Sequence, residues 1–200
     1  MKKIAFIVAL LAACVAMGHA QESRQDISLS GFGLIEPFVS SSTNVEVNST
    51  PAYGALLSYR YMLTPTVAME ANYGISYQNK MGFLIYPNHY NVPVRTQEMS
   101  GALVKSFVFK NWNPFVEGGP AALIFLPIVN SGLTYFGATQ QTEISGLGGA
   151  GFAYEISTSF DIRAEYRGFI TKVPSFGIQN GGANRWYWIS EPTVGVAYHF

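Results

Sequence analysis

Cysteine is almost missing from this chain: one stands among 200 residues, Cys14, so no disulfide framework can hold the fold together. Charge is scarce too. Charged side chains are 12% of the sequence, twelve basic and twelve acidic, and that balance gives nucleic acid nothing to bind by bulk electrostatics. Helical periodicity fails everywhere beyond residue 20, where no run of about 11 residues repeats apolar positions every three or four. Nor does any apolar stretch there reach the roughly 18 residues of a membrane-crossing helix. Reactive constellations are lacking as well. There is no His-x-x-x-His pair, no close His and Cys cluster for zinc and no Gly-x-Ser-x-Gly elbow, so neither metal nor cofactor is expected.

What is present begins with "MKKIAFIVALLAACVAMGHA". A Met-Lys-Lys head, an apolar run from Ile4 to Met17 and a small-x-small exit at Gly18, His19 and Ala20 read as a cleaved secretory leader over 1–20, which leaves 21–200 as a single domain. "LAAC" at Leu11 to Cys14 offers a second reading, a lipobox that would leave Cys14 lipidated. Cleavage after Ala20 removes Lys2, Lys3 and the lone Cys. The remainder keeps ten basic against twelve acidic side chains.

Within that remainder the recurring pattern is alternation. "VAMEANYGISYQ" sets Val67, Met69, Ala71, Tyr73, Ile75 and Tyr77 on one face and Ala68, Glu70, Asn72, Gly74, Ser76 and Gln78 on the other, the period of a strand. "AYGALLSYRYML" repeats it, and "FDIRAEYRGFI" puts Asp161, Arg163, Glu165 and Arg167 on one side of a single strand. A soluble sandwich would give these charges to water. A transmembrane barrel inverts the arrangement, with lipid against the apolar face and the charges paired across a narrow lumen. Tyr and Trp near strand ends suit the headgroup level and favour the barrel. Short turns at "LTPT", "KNWN" and "STS" alternate with longer pieces, "SSSTNVEVNST", "NKMGFLIYPNHYN", "PIVNSGLTYFGA" and "SFGIQNGGAN", read here as loops. The expected strands are 24–38, 50–63, 66–78, 94–109, 114–126, 139–156, 160–173 and 185–200. The fold class is therefore all-β, an eight-stranded antiparallel up-and-down transmembrane β-barrel.

The leader, "AYGALLSYRYML", "NPFVEGGPAA", the "GLGGAGFAYEISTSFDIRAEYR" hairpin and the terminal "PTVGVAYHF" together resemble the small eight-stranded outer-membrane barrels, the group that includes the transmembrane domain of outer-membrane protein A. The resemblance implies the outer membrane as location, with membrane lipid and lipopolysaccharide as surroundings. It also implies a terminal signal for the barrel-assembly machinery, which falls on Val194, Val196, Tyr198 and Phe200. In one respect the chain is expected to depart from outer-membrane protein A itself, in having no peptidoglycan-binding domain after Phe200.

The inward set of such a barrel comprises Arg60, Glu70, Glu117, Glu155, Asp161, Arg163, Glu165, Arg167 and Glu191, expected to form a lumen charge network. Strand four leaves its phase open: either Lys105 turns inward with Met99, Leu103, Phe107 and Phe109, or it snorkels from the lipid face while Glu98 looks in. "GLGGAG" at Gly146 to Gly151 lacks the context of a nucleotide loop, and its glycines let bulky lumen side chains approach. Function is expected to be non-enzymatic, a structural or surface-interaction role in the cell envelope, as a monomer with an extracellular partner reached through the loops. A narrow channel or small-ligand barrel is the first alternative. A lipid A-modifying enzyme using His89 and loop serines is the second.

Overall fold

The computed structural model describes residues 24–41, 45–77, 79–85, 88–128, 137–176 and 185–200. The leader and Cys14 lie outside them. Alternation turns into strands throughout: β1 (Gln25–Leu34), β2 (Val39–Ser41), β3 (Val45–Ser49), β4 (Ala52–Thr64), β5 (Val67–Ser76), β6 (Asn79–Ile85), β7 (Asn88–Ser106), β8 (Trp112–Pro127), β9 (Gln141–Ser157), β10 (Phe160–Lys172) and β11 (Trp186–His199). Eight of these, β1, β4, β5 and β7 to β11, pair antiparallel with their neighbours and close through β7–β8 into a barrel. Closure gives each of the eight barrel strands a neighbour on both sides, which is what an apolar medium demands of a sheet.

Two of the three tight turns share one device. At the Pro65–Thr66 turn the Thr64 hydroxyl accepts from the Thr66 and Val67 amides at 3.4 and 3.0 Å. At the Thr158–Ser159 turn the Ser157 hydroxyl accepts from Ser159 and Phe160 at 3.4 and 3.1 Å. A hydroxyl that caps the amides of a reversal lets the strands turn without further residues. The third turn, at 110–111, is closed by paired backbone bonds between Phe109 and Trp112, each 3.1 Å. All three turns lie at the end where β1 begins and β11 finishes.

At the opposite end the structure corrects the sequence reading. "SSSTNVEVNST" and "NKMGFLIYPNHYN", read as loops, contain β3 and β6, which join β2 and the first half of β7 in a four-stranded extension beyond the barrel mouth. The reason is burial on one face: Val47, Met81, Phe83 and Val92 point onto the mouth and are at most 3% exposed. The strand expected at 94–109 accordingly begins at Asn88, and the one expected at 24–38 stops at Leu34. Pro192 of β11 interrupts one ladder without shifting its register. The β1–β11 ladder runs from Asp26↔His199 to Phe32↔Thr193 and resumes at the single bridge Ile35↔Ser190 in unchanged register. Pro192 has no amide to donate, so the ladder skips it.

The barrel wall is apolar outside. Leu29, Tyr53, Leu57, Met69, Tyr73, Leu103, Ile144, Tyr166, Trp188, Val194 and Val196 are all exposed there. Inside, the barrel has two halves. Toward the termini the lumen is polar and charged. Toward the loop end it is filled by an apolar core that includes Phe32, Leu34, Leu56, Leu123, Phe125, Leu147, Phe169 and Ile189, capped by Phe83 and Phe176.

Candidate functional site: the filled lumen

The charged half is built from alternate residues of seven strands, so each carboxylate arrives at a fixed height. At mid-lumen Arg167 of β10 is fully buried and faces three carboxylates. Its Nη2 donates to Glu98 Oε1 at 2.6 Å, its Nη1 to Glu191 Oε1 at 2.7 Å, and its Nε to Glu117 Oε1 at 3.3 Å. Ser100 Oγ accepts a further bond from Nη2 at 3.1 Å. A planar guanidinium with five donors satisfies such a fork, where an ammonium would not. Gly149 makes room for it. A Cβ there would lie 2.6 Å from Glu117 Oε1, and one at Gly151 would lie 2.7 Å from the ring of Phe115, so these two glycines of "GLGGAG" mark close approach by lumen side chains, whereas a Cβ at Gly146 or Gly148 would meet nothing within 4 Å.

Nearer the termini Arg60 Nη2 meets Glu70 Oε2 at 2.5 Å, with its guanidinium 4.8 Å above the Phe115 ring. Glu165 lies within Coulomb reach of Arg60, Glu70 and Arg167. Arg163 Nη2 stands 2.7 Å from Asp26 Oδ2, and His199 Nε2 is 2.7 Å from Asp161 Oδ2. Asp26 belongs to β1 while Asp161 and Arg163 belong to β10, so this group spans β11 and clasps the seam where the first strand meets the last. Below it opens a vestibule of about 360 Å³ lined by Arg60, Asn113, Glu155, Asp161, Arg163 and His199. It is polar enough and large enough to hold water.

Of the nine residues expected to form a lumen network, all face inward, but they do not form one cluster. Glu155 stands exposed at the rim, bonded to Asn113 Nδ2 at 3.0 Å. Glu98 and Asp26 were not in that set, and both are at most 3% exposed. The phase of strand four is settled with Glu98 inside and Lys105 outside, where Lys105 Nζ donates to Thr66 Oγ1 at 2.7 Å. Asp26 was legible: in "DISLSGFGL" the alternation puts Ile27 and Leu29 outside and Asp26, Ser28 and Ser30 inside.

An apolar exterior around a closed eight-stranded antiparallel cylinder with charges inside is the inverse of a soluble protein. The sequence matches the family model "outer membrane protein beta-barrel domain" over residues 6–200. The chain belongs to this outer-membrane β-barrel family. Its location is the outer membrane, and the end with the short turns is periplasmic. Among solved structures, this outer-membrane barrel is similar to Neisserial surface protein A, with 15% identity, a TM-score of 0.63 and coverage of 89% of this chain and 98% of that one. It is also similar to the outer membrane protein OprG from Pseudomonas aeruginosa, with 12% identity, a TM-score of 0.61 and coverage of 90% and 97%. The attachment invasion locus protein of Yersinia pestis matches at 14% identity and a TM-score of 0.52, covering 90% of this chain and all of that one. No curated protein matches the sequence significantly.

At the extracellular mouth of the barrel one carboxyl is set apart from the network. Glu36 follows β1, is buried, and takes a bond from Asn79 Nδ2 at 3.5 Å. Burial pushes its carboxyl from the usual 4.5 up to about 7, with the Ser49 and Asn79 hydrogen bonds opposing. A folded-state value above the unfolded one means that the native form holds the proton more tightly. Stability is therefore full below about pH 4.5, falls as pH rises toward 7, and stays lowered above it by about 3 kcal/mol. Glu36→Gln is expected to raise stability by about that much at pH 8 and to leave it unchanged at pH 4. Urea unfolding in lipid vesicles, followed by Trp fluorescence at both pH values, checks it. An equal gain at both would mean that packing, not ionisation, carries the effect.

Proposed function

We propose that this outer-membrane barrel is a non-conducting, non-catalytic envelope protein that serves as a rigid wall element and displays its extracellular extension to partners. The observation that carries this reading is a lumen occupied at two successive levels, by the Arg167 fork and by the apolar core beneath Phe83 and Phe176. Eight strands leave an interior that side chains can fill. Here an ion would have to displace a buried guanidinium and then cross a dry aromatic layer, both costly.

Single-channel recording in planar bilayers tests it. The expected trace stays at background across the voltage range, and discrete conductance steps from heat-modifiable, folded protein would overturn it.

His89 stands exposed in the extension, opposite Leu84. The display role is supported by a hollow of about 320 Å³ on the outer face of the extension, where Glu46, Asn48, Lys80, His89 and Asn91 surround Gly82. Polar and charged side chains around a small concavity suit a surface contact. We further propose that Val194, Val196, Tyr198 and Phe200 serve as the signal for the barrel-assembly machinery. Val194 and Val196 project outward, and Tyr198 stacks on Phe200 with ring centroids 6.1 Å apart.

A further inference from the structure

The acids of the barrel strands all lie on one side of the wall, while the basic residues are divided between the two. Asp26, Glu70, Glu98, Glu117, Asp161, Glu165, Glu191 and the two remaining strand acids, Glu143 and Glu155, all take inward positions in the alternation. On the outward positions of the eight barrel strands the charges are Arg95, Lys105 and Lys172, and none is acidic among the described residues. Lys105 is at the periplasmic end, next to the turn at Thr66. Arg95 and Lys172 are both at the extracellular end of the barrel wall, toward the outer leaflet.

Arg95 has a built surrounding. Tyr77 donates its amide to the Tyr53 carbonyl at 2.6 Å, and the next rung places Gln97 beside Ile75, so Tyr53, Tyr77 and Arg95 stand side by side on adjacent strands. The two tyrosine rings stack with centroids 5.4 Å apart and planes within 6° of parallel. Both are exposed, and no carboxylate pairs with Arg95 among the described residues. With Ala55 and Ile75 as an apolar floor they bound an open cavity of about 440 Å³. Across the barrel Lys172 Nζ sits 5.6 Å over the Trp186 ring, a second pairing of cation and aromatic at this end.

We propose that Tyr53, Tyr77 and Arg95 form a docking site on the outer wall for a phosphorylated, acylated saccharide of the outer leaflet, a lipid A-type headgroup. A guanidinium takes a phosphate through two parallel hydrogen bonds. The stacked tyrosine pair offers a ring face with hydroxyls at its edge, which fits the C–H face and hydroxyls of a sugar ring and has nothing comparable to grip on a glycerol headgroup. The floor of Ala55 and Ile75 accepts the first segment of an acyl chain. A charge facing outward at this height costs little, because headgroups and water reach it.

The test uses the full chain refolded into phosphatidylcholine nanodiscs, shown to be folded by heat-modifiable migration, and titrated with bis-phosphorylated lipid A. Arg95→Gln is expected to weaken binding about tenfold, the loss of one charge-assisted contact. Lys105→Gln, at the other end, is expected to leave it within about twofold. Dephosphorylated lipid A should bind the wild-type protein as weakly as lipid A binds the Arg95 variant. The double substitution Tyr53→Ala and Tyr77→Ala should weaken lipid A while leaving phosphatidylglycerol unaffected. Equal affinities for wild type and Arg95→Gln would overturn the site, as would equal losses from Arg95→Gln and Lys105→Gln. Phosphatidylglycerol binding as tightly as lipid A would overturn the saccharide. Failure of the family reading would look different, as loss of the heat-modifiable form.

Discussion

Replacing Arg167 by Met is expected to lower the unfolding free energy by more than about 4 kcal/mol, the largest effect of any single polar substitution in the chain. Three carboxylates converge on this one guanidinium, and removing it leaves them buried without their cation. The pairs themselves add little over a well-packed apolar alternative. What is costly is breaking one side of them. Arg167→Lys separates charge from geometry: a lysine restores the positive charge at one point but cannot serve Glu98, Glu117 and Glu191 together, so about half of the loss should remain. Urea titration in lipid vesicles with a gel readout of the folded form measures both variants. A loss below about 1 kcal/mol for Arg167→Met would mean that water supports these carboxylates and that the fork is not the seal described above.

Phe176 is expected to invert an ordinary ranking. Its ring packs edge-on to Phe83 and Phe125 at 5.8 and 6.4 Å and is fully buried, so truncation to Ala should cost about 3–5 kcal/mol. Its backbone, however, is left-handed, with φ 51°. Gln141 Oε1 holds that conformation by accepting from the Ser175 and Phe176 amides at 2.8 and 3.0 Å. Glycine adopts such a φ without the Cβ penalty. Phe176→Gly should therefore be less destabilising than Phe176→Ala, by about 1 kcal/mol, where glycine is normally the poorer choice. Parallel unfolding curves of the two variants decide it. If the Ala variant is the more stable, the strained turn is not held by Gln141.

The parts of this molecule that were legible from sequence are those where one face of a strand is polar. β5 and β10 alternate cleanly because Glu70, Asn72, Asp161 and Arg163 look into the charged half of the lumen. In the extracellular half the rule lapses, since both faces are apolar. "ALIFL" in β8 sets Ala122, Ile124 and Leu126 outside while Leu123 and Phe125 fill the core, and period two cannot be seen in a run without polar members. β3 and β6 were hidden for a different reason: Glu46, Asn48 and Lys80 lie outside while Val47, Met81 and Phe83 cover the mouth, so the alternation is present, in short segments whose Ser, Asn and Gly content reads as loop. Glu98 was ambiguous because its neighbours Ala102 and Val104 are inward but apolar, so the strand carried two candidate faces. The separation of the lumen charges into a fork, a pair and a seam clasp follows from strand heights, which depend on stagger around the cylinder and leave no mark in any single segment.

The interruption at Pro192 has a mechanical consequence. On the periplasmic side the junction of the first and last strands carries seven consecutive matched positions, reinforced by Asp26, Arg163, Asp161 and His199, whereas past Gly33 a single bridge at Ile35 holds it. A cylinder joined so unevenly parts first at its thinly fastened rim. Any fraying of the wall therefore begins among the outer-leaflet lipids, while the periplasmic end stays shut.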